Sequence, residues 1–229
     1  TPIADGTFGG IIVSASDGVS TLQTNPFTIV INAVDACDSG TVPSGTAFGG
    51  GLCAGTVTIA SETYDLVVTQ SNCLNETGGS DSTKPVSAFT PSCNGATDTV
   101  TKRWTTVGAG VTDPASTTDG IGNTLQLTTD NRRANPAAGY CESLVVGGFD
   151  DWYLPSRDEL VQVQLKLFAK GLGGYANTTY WASTESTSTT AVTINATSGA
   201  LGTATKNATS SIPRVRCVRR TDDGNKSVP

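Results

Sequence analysis

Two β-type runs open the chain, Thr7 to Ser16 (TFGGIIVSAS) and Pro26 to Ala33 (PFTIVINA). Asp17-Gly18 lies between them and is a strong turn signal, so the pattern predicts a hairpin or two strands of a sandwich. Further on, Thr56 to Ile59 and Tyr64 to Thr69 read as strands, preceded by the consecutive glycines Gly49, Gly50 and Gly51. The polar stretches Asn75 to Lys84 and Thr112 to Gly122 have loop composition.

Helical spacing is convincing at one place only. Ser156 follows Pro155 and precedes Arg157, with Glu159 three residues after it, which is the signature of a capping box. Leu160, Val163 and Leu167 form one stripe, widened by Val161, Leu165 and Phe168, with Gln162, Lys166 and Lys170 opposite. Gly171 supplies the stop.

The 229 residues are 37% hydrophobic and 15% charged, enough for one large core or two modest ones. Abundant Gly, Ser and Thr beside recurrent Thr/Val/Ile pairs favour strands and turns, so the predicted class is α+β and mostly β. A net charge of −6 speaks against a phosphate-backbone partner, and hence against nucleic acid. The six cysteines contain no Cys-x-x-Cys pair and there are no histidines, so disulfides and an oxidising compartment are favoured over a zinc site. The longest apolar run, Phe27 to Val34, is too short to span a bilayer. The chain opens at Thr1 without a methionine or a signal peptide, which calls for a removed leader or a fragment.

Three blocks then stand out: Gly148 to Leu160 (GFDDWYLPSRDEL), Tyr180 to Ser186 (YWASTES) and Arg214 to Arg220 (RVRCVRR). In order and spacing they resemble the bacterial domain of unknown function found at the C-terminus of collagen-like adhesins. The resemblance covers about residues 95–221 and implies a C-type-lectin-like domain with extracellular adhesion or ligand binding, glycans included. The opening stretch, with its Gly6-Thr7-Phe8 start, Ser16-Asp17-Gly18 turn and Phe27-Thr28-Ile29-Val30-Ile31 end, resembles the last two strands of a bacterial immunoglobulin-like surface repeat. The expected organisation is therefore an incomplete immunoglobulin-like segment at 1–35, a disulfide-stapled lectin-like domain with one main helix at 36–221, and a polar tail at 222–229.

Physical chemistry gives the same blocks a scaffold role. Trp152, Leu154 and Leu160 would anchor the helix, Asp151 would bond loop backbone, and Tyr180 with Trp181 would fill the far side of the core. Alternation in the closing strand turns Val215 and Cys217 inward and Arg214 and Arg216 outward. Cys217 is accordingly paired with Cys141 across 217 − 141 = 76 residues. Chain order suggests Cys37 with Cys53 and Cys73 with Cys93, although six cysteines allow fifteen pairings.

Candidate chemistry is sparse. Without histidine, the usual triads and bases are missing. Asp150 with Asp151, and Asp158 with Glu159, are adjacent acids, but the second pair suits a helix N-terminus without catalysis. No enzyme and no cofactor is expected. Calcium is conceivable at Asp113 and Asp119 or at Asp222 and Asp223, yet no calcium-loop pattern supports it. Arg132, Arg133, Arg214, Arg216, Arg219 and Arg220 are candidates for an anionic-glycan patch. Loops 186–190 and 203–211 are candidates for ligand contact, and sequons occur at Asn75, Asn177, Asn195, Asn207 and Asn225. The expected role is a non-catalytic module contacting an extracellular glycan or protein. The alternative is a fibre or pilus-like subunit that self-associates by strand addition through the incomplete N-terminal segment.

Overall fold

The computed structural model describes residues 6–11, 14–16, 19–31, 37–38, 42–70, 73–74, 92–93, 100–106, 114–131 and 134–221. The chain divides into two compact units, Thr1–Asp35 and Ala36–Pro229.

In the first unit, β1 (Gly6–Ile11), β2 (Ser14–Ser16), β3 (Thr21–Gln23) and β4 (Phe27–Ile31) make two antiparallel ladders, β1 with β4 and β2 with β3. Gly6 faces Ile31 and Ser16 faces Thr21, so the ladders are successive stretches of one hairpin, with a register shift between Phe8 and Ile11. Asp17-Gly18 falls between β2 and β3 and lies outside the described residues.

The second unit is mixed α+β and mostly β. It begins with β5 (Ala47–Phe48), β6 (Gly51–Ile59) and β7 (Glu62–Val68), followed by the short pair β8 (Cys73–Leu74) and β9 (Ser92–Cys93). Helices α1 (Gly120–Asn131), α2 (Pro136–Glu142) and α3 (Arg157–Lys166) come next. The strands β10 (Thr179–Thr187), β11 (Thr190–Asn195), β12 (Leu201–Thr205) and β13 (Val218–Thr221) complete it. Seven of these strands form two antiparallel sheets, in the orders β13-β7-β6-β5 and β10-β11-β12. The last strand thus returns beside a strand near the unit's start, pairing Val218 with Val68 and Thr221 with Asp65.

The expectation of a single main helix is corrected to three α-helices among the described residues. α1 grows out of a segment that has loop composition, because its order comes from contacts that sequence propensity does not encode. Asp119 Oδ1 accepts from the Gly122 N–H (3.1 Å), and Asn123 donates to the Ser116 carbonyl (2.7 Å). α3 has the capping box that its sequence signals, with Ser156 and Glu159 bonding each other's backbone N–H. A 3₁₀ turn, Phe168–Lys170, extends it, and Gly171 then takes the left-handed conformation (φ 68°) that ends it.

Leu160, Val163 and Leu167 are buried as the stripe requires, but Leu165 is 55% exposed, which narrows the apolar face. Gln162 and Lys166 are not fully solvated either, since both lie against Gly55 of β6. Among the described residues two large hydrophobic clusters dominate the core, beside a small one of Cys37, Val42 and Cys53. One of the large clusters holds Trp104, Trp152, Trp181, Leu154, Cys141 and Cys217, the other Leu66, Val68, Tyr153, Leu160, Leu167, Tyr180 and Ile194. Each buried indole removes on the order of 200 Å² from water, worth roughly 5 kcal/mol before ordering entropy is counted.

Disulfides join Cys37 to Cys53 and Cys141 to Cys217. Cys73 and Cys93 stand directly opposite each other in the β8–β9 ladder. Part of the glycine run has a steric reason: Gly50 and Gly147 meet backbone to backbone, and a Cβ on Gly147 would collide with Gly50. The 222–229 tail lies outside the described residues. No helix among the described residues is long and apolar enough to cross a membrane.

Candidate functional site

The Gly148–Leu160 block is a junction between the two ends of the second unit. Buried Trp152 donates its indole N–H to the carbonyls of Phe149 (3.1 Å) and Val146 (3.3 Å), closing the turn before it. Tyr153 exchanges backbone hydrogen bonds with Val218 (2.8 and 3.0 Å), which docks the block along β13. The Leu154 N–H donates to Thr124 Oγ1 (3.1 Å) on α1.

Three of the six arginines expected in a basic surface patch, Arg216, Arg219 and Arg220, are buried and cannot contribute to one. Arg216, Arg219 and Arg220 are 2%, 0% and 5% exposed, and all three are engaged inside the unit. Arg216 donates to the carbonyls of Thr69 (2.8 Å) and Gly173 (2.9 Å) and stacks 3.9 Å over the Tyr175 ring. Arg219 donates to Asp151 Oδ1 (2.7 Å) and the Gly49 carbonyl (3.0 Å), with its guanidinium 3.8 Å over Phe149. Alternation along the strand fails to place these side chains in solvent because neighbouring segments cover both of its faces. Arg214 is half-buried, and Arg132 and Arg133 lie outside the described residues.

The sequence-predicted acids are spent on structure as well. Asp151 holds Arg219, and Asp158 pairs with Arg157 in the first turn of α3 (2.7 Å). Glu159 is fully buried, accepting from the Ser156 N–H (2.8 Å) and the Tyr153 hydroxyl (2.7 Å). Burial holds its carboxyl above the usual glutamate range, against the lowering effect of the Tyr153 bond, the Ser156 bonds and the Arg220 charge. Tyr153 is pushed well above the ordinary phenol value, first by burial and then by the Glu159 charge.

Arg220 ties this centre to Asp119 (3.1 Å), and its Nε lies 4.0 Å from Glu159. Asp119 therefore caps α1 and pairs with Arg220 rather than standing in an open calcium loop. Asp150 is exposed, while Asp113, Asp222 and Asp223 lie outside the described residues. Among the described residues no group of three acidic, cysteine or histidine side chains is placed to hold a metal ion.

The Tyr180–Ser186 block clamps the loops around it. Trp181 donates its indole N–H to the Lys102 carbonyl (2.9 Å), and Trp104 donates to the Ala182 carbonyl (2.9 Å). Ser183 Oγ accepts from Asn123 (3.2 Å), and Thr184 Oγ1 donates to the Ser116 carbonyl (2.8 Å) and accepts the Arg157 N–H (3.0 Å). Lys206, which sequence reasoning did not single out, is buried. It pairs with Glu185 (3.1 Å), and its ammonium lies 4.7 Å over the Trp104 ring. Only a long-range contact could have flagged it, because nothing near Lys206 in sequence signals burial.

Both loops expected to carry ligand contacts are shorter than predicted. Ser186 and Thr187 belong to β10 and Thr190 to β11, leaving a tight turn at 188–189. Thr203 to Thr205 belong to β12. What these segments do present is an uncharged, hydroxyl-rich rim. Thr187 Oγ1 accepts the Thr190 N–H (3.1 Å) and bonds the Thr190 hydroxyl (2.7 Å), while Ser188, Thr189, Thr203 and Thr205 are exposed. Of the sequon asparagines, Asn177 and Asn207 are exposed and Asn195 is half-buried, accepting the Thr197 and Ser198 N–H groups (3.0 and 2.9 Å). Asn75 and Asn225 lie outside the described residues.

No protein-family model matches the chain, and no curated protein sequence matches it at a significant level.

Proposed function

We propose that this chain is a non-catalytic extracellular binding module of a bacterial surface or secreted protein, with a C-type-lectin-like head that contacts a glycan or a protein. One observation carries the reading. The residues that the sequence marks out, from Asp151 and Glu159 to the closing arginines, are consumed in internal contacts, while Thr187, Ser188, Thr189, Thr203 and Thr205 form an exposed, uncharged rim. Two disulfides and a last strand that returns beside β7 support an extracellular module of lectin-like build. A hydroxyl-rich rim without charge suits a neutral saccharide better than a sulfated one.

The test is saturable binding of the immobilised full chain to a panel of neutral and sulfated oligosaccharides. The reading predicts binding to a neutral saccharide, lost at least tenfold in a Thr187→Lys/Thr205→Lys variant that melts like the parent. Retention of sulfated ligands alone would contradict it.

A second reading is favoured by the N-terminal unit. Its described strands make one two-stranded hairpin, which resembles the end of an immunoglobulin-like repeat and is too small to be stable alone. Such a segment suits a fibre subunit that assembles by strand addition.

A further inference from the structure

Among the described residues, the sheet edges of the Ala36–Pro229 unit are short or covered except at β12. β5 has two residues. β13 is flanked by Tyr153. β10 donates the N–H groups of Trp181, Ser183 and Glu185 to the carbonyls of Arg214 (3.0 Å), Pro155 (2.7 Å) and Pro114 (2.8 Å). β12 (LGTAT) has β11 on one side and, among the described residues, no strand on the other.

Bonds near the two ends of the β11–β12 ladder fix which groups face outward. The Asn195 N–H donates to the Ala200 carbonyl (2.9 Å) and the Lys206 N–H to the Thr189 carbonyl (3.0 Å). By the antiparallel alternation, Gly202 and Ala204 turn their backbone groups toward β11, whereas Leu201, Thr203 and Thr205 turn theirs away from it.

Natural edges are guarded by lysine, proline or a bulge. β12 has none of these in an unbroken register of five pairs, Leu201 is 52% exposed, and Lys206 is turned inward onto Trp104 and Glu185.

We propose that β12 accepts the N-terminal hairpin of a second copy of this chain by strand addition, so that copies join head to tail. The inference rests on the fibre reading and deepens it by naming the acceptor edge. The donor follows from size, since a two-stranded hairpin needs at least one more strand to be stable. It also follows from charge: β1, β4 and β12 carry no ionisable side chain in a protein of net charge −6, so pairing sets no like charges opposite each other. Because donor and acceptor are different surfaces, the contact is heterologous and propagates.

Sedimentation velocity of the full chain over a wide concentration range tests this. Thr203→Pro removes an outward N–H while sparing the β11 ladder. Ile29→Lys/Val30→Lys charges both faces of β4. Each variant alone is expected to stay at single-chain mass, and an equimolar mixture of the two to form a two-chain species, since one partner keeps the donor and the other the acceptor. Continued assembly of Thr203→Pro alone overturns the β12 assignment and leaves the fibre reading standing, whereas continued assembly of Ile29→Lys/Val30→Lys alone overturns the hairpin as donor and the fibre reading with it. A wild-type chain that stays single at every concentration overturns both.

Discussion

Replacing Asp151 with alanine leaves a guanidinium buried without its counter-charge. Arg219 is wholly inaccessible and Asp151 18% exposed, and their 2.7 Å contact joins the Trp152 turn to the last strand. Breaking a buried pair by removing one partner costs about 3–5 kcal/mol. Arg219 keeps the Gly49 carbonyl and the Phe149 ring, which places the expected loss near the lower limit, at about 3 kcal/mol. In a unit of this size that corresponds to a fall in melting temperature of roughly 6–12 °C.

Arg219→Met removes the charge itself and lets the partly exposed Asp151 regain water, so it should cost about 1–2 kcal/mol. The double variant should match Arg219→Met, giving a coupling of about 3 kcal/mol, the full cost of Asp151→Ala, in a double-mutant cycle followed by urea unfolding with disulfides intact. A loss below about 0.5 kcal/mol for Asp151→Ala would mean that the pair behaves as a surface ion pair, and the scaffold reading of the block would be wrong.

The β6–β7 hairpin turns through Ala60 (φ 50°) and Ser61 (φ 73°), a conformation that glycine and asparagine prefer. Ala60→Asn/Ser61→Gly should therefore stabilise the unit by about 1–2 kcal/mol in urea unfolding, and a loss would refute that turn geometry. Glu159, held above its unfolded value by burial, contributes most below the ordinary glutamate pKa, and that contribution is lost as pH rises through its folded value. The stability of wild type relative to Glu159→Gln should accordingly fall from about pH 4.5 upward, and a gap that widens with pH would contradict the burial argument. Removing the Cys141–Cys217 bond by double alanine substitution should cost about 4.5 kcal/mol from the loop-closure entropy of 76 residues, read from the urea midpoint, and a loss below about 1 kcal/mol would contradict it.

What could be read from sequence was whatever is local. The capping box of α3 is written in four consecutive residues, and the hairpin in two alternating runs. α1 was not legible because Gly120, Gly122, Asn123 and its threonines are poor helix formers, held by Ser116, Ser183 and Leu154 from elsewhere in the chain. The arginines were misread for the same reason. Alternation says which way a side chain leaves its strand, but not that Asp151, 68 residues earlier, or Gly49, 170 residues earlier, waits to receive it. Leu165 erred in the opposite direction, since the helical stripe is wider than the surface available to cover it.

The first and last parts of residues 36–221 form one scaffold, which leaves ligand contact to its rim. Peptide mapping by mass spectrometry of the unreduced protein tests this most directly. A linked pair of peptides carrying Cys141 and Cys217, beside one carrying Cys37 and Cys53, is the predicted result. A free thiol at Cys141 or Cys217, or a bond from either to another cysteine, would contradict it.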